Sequence, residues 1–168
     1  ALTAEMFERH DRARFEITAV SFGPDDGSPT RARLTKAFDR FHDARAQNDR
    51  EVAALLRQWE IDVAVDLGGQ TSGARPWVLA HRPAPVQAKY MGYLGTSGCD
   101  FIDYIVSDRI VVPPDQDIFF SEKIAALPDT LWVTDTTVQV PPKPTRQAAG
   151  LPEHGFVFCC FNHNWKIT

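Results

Sequence analysis

Residues 82–98 read RPAPVQAKYMGYLGTSG, and the fold turns on how this stretch is read. Pro83 and Pro85 force an extended backbone at its entry. VQAKYM, residues 86–91, follows with strand character. Gly92, Gly95 and Gly98 then frame Tyr93, Leu94, Thr96 and Ser97 in a loop. The glycine spacing is neither GxGxxG nor a Walker loop, which would end in GK[ST]. A Gly-rich loop at the end of a strand can turn backbone amides toward a ligand. The same spacing also suits a plain turn.

Upstream, residues 3–10 (TAEMFERH) read as the last turns of an amphipathic helix. RFEITAVSF, residues 14–22, is a strand, and Pro24, Asp25, Asp26 and Gly27 make a turn. Leu34, Ala37, Phe38 and Phe41 recur at helical spacing, predicting a helix over residues 30–41. Asn48 or Asp49 caps a second helix whose apolar face holds Val52, Leu55, Leu56 and Trp59. IDVAVDL, residues 61–67, reads as a buried strand ended by Gly68 and Gly69. A short helix over 75–82, with Pro76 in its first turn, leads to the opening stretch.

Downstream, strands are expected over 100–107 and 122–127, with a helical turn over 115–121 between them. Strands alternating with helices predict an α/β fold, a Rossmann-like parallel sheet flanked by helices. Ligands of such sheets lie beyond the C-terminal strand ends, where GGQTSGARP and the opening loop both fall. Residues 134–148 carry three prolines and no apolar periodicity, so they read as a linker. Residues 155–161 are strongly apolar and would start a second sheet. The expected organisation is a domain over 1–133, a Pro-rich crossing over 134–150 and the start of another domain over 151–168. Ala1 falls inside a helical pattern and Thr168 at a helix entrance, so a piece of a longer polypeptide is expected.

The chain has 168 residues, 43% hydrophobic and 24% charged, which is ordinary globular composition. Its formal net charge is -4, which argues against nucleic acid as the main partner. No apolar run approaches the ~20 residues that span a bilayer. Cys99, Cys159 and Cys160 suit a reducing cytoplasm better than a disulfide framework. No CxxC or HxxxH spacing offers a metal site.

Lys166 stands at a strand-to-helix junction after Asn162 and His163. Helix N-terminal amides favour anions, a lysine adds a point charge, and both side chains can donate to phosphate oxygens. By itself the pattern fits a polar loop with a solvated lysine as well as a pyrophosphate site. Asp66 ends its strand where it can cap the following loop. No Ser-His-Asp arrangement and no GxSxG elbow can be built.

Five blocks occur in order: VDLGGQTSGAR, RPAPVQAKYMGYLGTSG, DYIVSD, FSEKIAALPDT and FCCFNHNWKI. Together they resemble the catalytic region of the O-linked N-acetylglucosamine transferases, including bacterial and SPINDLY-like members. The resemblance spans nearly the whole chain and is weakest over residues 1–50. It implies most of one half of a GT-B glycosyltransferase fold plus the first strand of the other half. It implies UDP-N-acetylglucosamine as donor substrate, Ser or Thr of a protein or peptide as acceptor, inversion at the anomeric centre, and no metal or other cofactor. It also implies partners within the same polypeptide: a second Rossmann-like half, which would hold the uridine- and ribose-binding residues, and upstream tetratricopeptide repeats. The family's His-containing motif would likewise lie before Ala1. By the same resemblance Lys166 contacts the donor diphosphate and stabilises the leaving UDP, with Asn162 and His163 beside it. Met91, Gly92, Tyr93, Leu94, Gly95 and Thr96 would line the sugar pocket. Leu94 replaces the family's usual proline, and Trp165 a frequent tyrosine. SPINDLY-like relatives that use GDP-fucose make protein O-fucosylation an alternative. A non-catalytic Rossmann-like module that binds proteins is the other.

Overall fold

A computed structural model describes residues 3–161. The elements in chain order are α1 (Ala4–Glu8), β1 (Thr18–Ser21), α2 (Pro29–Ala37), β2 (Arg40–Asp43), α3 (Asp49–Gln58), β3 (Val63–Asp66), α4 (Trp77–Ala80), β4 (Val86–Tyr90), β5 (Tyr104–Asp108) and β6 (Lys123–Leu127). A 3₁₀ turn at Asp117–Phe119 precedes β6. β1 and β2 form one sheet; the other runs β3-β4-β5-β6. Every pairing is parallel. The chain divides into two compact units, Ala1–Thr136 and Thr137–Thr168. All the helices and strands lie in the first, and the second has neither over its described part, residues 137–161.

Local chemistry accounts for the helix starts. Ser28 Oγ accepts from the Arg31 amide at 3.1 Å, and Pro29 opens α2 with φ already suited to a helix. Asn48 heads a capping box: its side chain accepts from the Glu51 amide at 3.0 Å, and the Glu51 carboxylate takes the Asn48 amide at 2.8 Å. α3 then buries Val52, Ala53 and Leu56. With Ala44 and Val78 they make one apolar core, against which Val20, Phe22 and Trp59 pack. Ala64, Leu79, Ala84 and Ile102 make a second. Ile61 touches both cores.

Four expectations are corrected. The helix over 30–41 stops at Ala37, and residues 40–43 are strand β2. Phe38 and Phe41 lie three apart and imitate a helical face, but Phe38 is extended, at φ -111° and ψ 151°. The Asp39 carboxylate accepts from the Ile17 amide at 2.8 Å and from Arg12 at 2.6 Å, which holds the chain beside β1. The order is therefore strand, helix, strand, helix, strand. β3 is also not buried on both faces: Ala64 is 8% exposed, but Val63 is 52% and Val65 49%. It is the edge of its sheet, with one face covered. β5 begins at Tyr104 rather than at residue 100. Residues 155–161 form no strand; Phe156, Phe158 and Phe161 are exposed, and no ladder partner satisfies their backbone among the described residues.

Candidate active site

The loops after β3 and β4 leave the C-terminal ends of neighbouring parallel strands, so they meet. Asp66 ends β3 and caps its own loop as expected, accepting from the amides of Gly68 at 3.0 Å and Gly69 at 2.9 Å. Beyond β4 the chain reverses through Met91 and Gly92, at φ 59° and 51°. Left-handed backbone costs a non-glycine residue roughly 1–2 kcal/mol, so Met91 is a strained point. Gly92 packs where no side chain fits: a Cβ there would lie 2.5 Å from the Gly68 carbonyl oxygen and 2.6 Å from that of Leu67. Gln70 Nε2 donates to the Ser97 carbonyl at 3.0 Å and ties the two loops farther out.

Beneath this loop is a lysine in a central strand. Lys89 is 2% exposed, and its ammonium donates to the Gly95 carbonyl. The nitrogen also lies 5.2 Å from the centroid of the Tyr93 ring, which folds back over Gly95. Burial pushes the Lys89 ammonium below its ordinary pKa, against the opposing pull of Glu122 and Asp66. Glu122, just before β6, is 4% exposed. Its carboxylate accepts from Thr96 Oγ1 at 2.7 Å, the Ser97 amide at 2.7 Å and the Ser97 hydroxyl. Burial pushes the Glu122 carboxyl up, but those three bonds outweigh it and hold the group below the usual carboxylate range.

A cavity of about 520 Å³ opens between the two loops. Asp66, Gln70, Trp77, Lys89, Ser97 and Cys99 are among its lining residues. Its volume falls in the range of small-molecule sites. Among the described residues, no three His, Cys, Asp or Glu side chains converge as a metal-ligand set.

Of the site residues expected from the sequence, Met91, Gly92, Tyr93, Leu94, Gly95 and Thr96 lie together on the loop after β4. The cavity itself is lined by the residues that follow them, Ser97, Gly98 and Cys99. Asn162, His163 and Lys166, with Trp165, lie outside the described residues. Lys89 and Glu122 do not stand out in the sequence as site residues. A lysine inside an apolar strand pattern was the available signal for the first, since a fully buried lysine needs partners. Nothing local marks Glu122, because the loop residues it holds, Ser97 and Thr96, stand 25 and 26 residues away.

Parallel strands with intervening helices, and Gly-rich loops gathered at the C-terminal strand ends, are the architecture of a Rossmann-like α/β sheet, which receives its ligands at that edge. An O-GlcNAc transferase of Thermobaculum terrenum, solved as its K341M mutant, superposes with a TM-score of 0.75 at 30% identity, over 78% of this chain and 25% of that one. Residues 2–142 match glycosyl transferase family 41. The chain belongs to that family.

Among its relatives is a probable UDP-N-acetylglucosamine–peptide N-acetylglucosaminyltransferase, SEC, of Arabidopsis thaliana, 34% identical over 99% of this chain and 18% of that protein. The Caenorhabditis elegans UDP-N-acetylglucosamine–peptide N-acetylglucosaminyltransferase is 34% identical over 75% of this chain and 11% of its own length. The Arabidopsis SPINDLY protein, described as a probable enzyme of the same kind, is 30% identical over 95% of this chain and 18% of its own. The chain thus spans under a fifth of each of these three relatives.

Proposed function

We propose that this chain is the acceptor-side part of the catalytic region of a protein O-N-acetylglucosaminyltransferase. The reaction moves N-acetylglucosamine from UDP-N-acetylglucosamine to a Ser or Thr hydroxyl, with inversion and without a metal. Residues 91–96 form the wall against which the sugar lies, and Asn162, His163 and Lys166 hold the diphosphate. As the glycosidic bond breaks, negative charge develops on the departing UDP, and the Lys166 ammonium offsets it. Residues 134–150 cross to the donor-binding half, tetratricopeptide repeats precede this region, and the whole works in the cytoplasm. The isolated chain does not transfer sugar, because the other half of the site belongs to the rest of the polypeptide.

The observation that carries this reading is the Gly-rich loop after β4, closed over Lys89 at the C-terminal edge of the sheet in a family 41 chain. The test uses the full-length polypeptide with an acceptor peptide library and two donors, UDP-N-acetylglucosamine and GDP-fucose. Transfer from the UDP sugar, lost at least a hundredfold in Lys166→Ala, is expected. Transfer from GDP-fucose alone would reassign the enzyme as a fucosyltransferase. No transfer from either, with protein binding intact in Lys166→Ala, would favour a non-catalytic binding module.

A further inference from the structure

The loop over 92–98 has little of its own to hold it in place. Three of its seven residues are glycines, and it begins at the strained Met91. Besides the Gln70 tie, its shape is imposed from outside by two buried charges, Lys89 of β4 and Glu122 just before β6. Lys89 takes the Gly95 carbonyl from below. Glu122 takes both hydroxyls of the Thr96-Ser97 pair and the amide of Ser97 from the side. A second tie on that side runs from the Ser121 amide to Thr96 Oγ1 at 3.2 Å. Within the loop, Thr96 Oγ1 accepts from the Gly98 amide at 3.1 Å and Ser97 Oγ from the Cys99 amide at 3.2 Å. The hydroxyls that Glu122 orients are thus the acceptors that fold the end of the loop, where it lines the cavity.

We infer that Glu122 is a positioning residue of this site: its carboxylate, acting through Thr96 and Ser97, fixes the course of the 92–98 loop and so preshapes the wall that receives the nucleotide sugar. The inference rests on the donor-binding reading given above. Glu122 does not line the cavity and makes no bond to a substrate; it acts through the loop. A carboxylate suits the task because it only accepts hydrogen bonds and has lone pairs for three donors at once. Glutamine keeps the length but gives up half of that acceptor capacity.

The test has two readouts in the full-length polypeptide. The first is amide hydrogen exchange of Ser97, Gly98 and Cys99 without ligand; the second is the split between kcat and KM for the donor. Glu122→Ala is expected to speed exchange at those three amides about tenfold or more while β4 and β5 stay protected. It is expected to raise the donor KM about tenfold with kcat within about threefold, since the loop must then be ordered by the ligand itself. Glu122→Gln should recover part of both effects. Ser97→Ala removes one bond to Glu122 and also the acceptor of the Cys99 amide, so here exchange at Gly98 and the donor KM are the readouts; both should move in the same direction, and the variant serves if Glu122→Ala fails to fold. Wild-type exchange rates in these variants would overturn the inference, and so would faster exchange with an unchanged donor KM. If the wild-type polypeptide neither binds nor transfers a nucleotide sugar, the donor-binding reading falls. Loop exchange then decides by itself whether Glu122 shapes the loop.

Discussion

Gly92 carries the tightest constraint among the glycines of the candidate site. Its left-handed backbone and its contact with the Leu67 and Gly68 carbonyls leave no room for a Cβ. Both opposing atoms are backbone, so neither moves without dragging the loop after β3. Gly92→Ala is expected to destabilise by on the order of 2 kcal/mol or more, read as a shift in the denaturant midpoint, and to weaken donor binding with it. Glu122 makes a pH argument at the same scale. Its carboxyl is held below the ordinary value of 4.5. The folded pKa is depressed, so its stabilising effect is fully present above the ordinary value and is lost as pH falls through the lower folded one. Exchange at Ser97 should therefore accelerate in acid, after correction for its intrinsic pH dependence. In Glu122→Gln that corrected dependence should be flat.

Among the elements, α3 is the best specified and also has a removable flaw. Its capping box fixes the start. At its end the Ile61 amide reaches back to the Leu56 carbonyl at 3.2 Å and the Glu60 amide to that of Arg57 at 3.0 Å, a Schellman closure. That closure places Glu60 at φ 54°, where glycine is the usual residue. Glu60→Gly is expected to stabilise the protein by about 0.5–1 kcal/mol, read as a higher Tm, because the left-handed strain is relieved at an exposed position. β2 shows the opposite case. RFHD is short, polar and preceded by a false helical phase, so nothing local marks it as a strand. Pairing with β1 and the Asp39 contacts make it one.

For the molecule as a whole, strand order sets which parts open first. β4 and β5 are central in the four-stranded sheet, and β3 and β6 are its edges. Tyr90 adds a buried bond from its hydroxyl to the Leu131 carbonyl at 2.6 Å, which locks the segment after β6 over the end of β4. Amide exchange should be slowest in β4 and β5 and faster in β3. Exchange in β3 as slow as in β4 would contradict the edge position.

The alternation of strands and helices, the capped start of α3, the Asp66 cap and the Gly-rich loop after β4 were all legible in the residues. Each depends on neighbours within a few positions, where propensity and hydrogen-bond chemistry act directly. The exposed face of β3, the existence of β2, the lack of a strand partner for residues 155–161 among the described residues and the grip of Lys89 and Glu122 on the loop were not. Those depend on which strands lie side by side and on contacts up to 27 residues apart. Such contacts form only when the sheet is assembled, because burial is what gives a charged side chain the partners it must find.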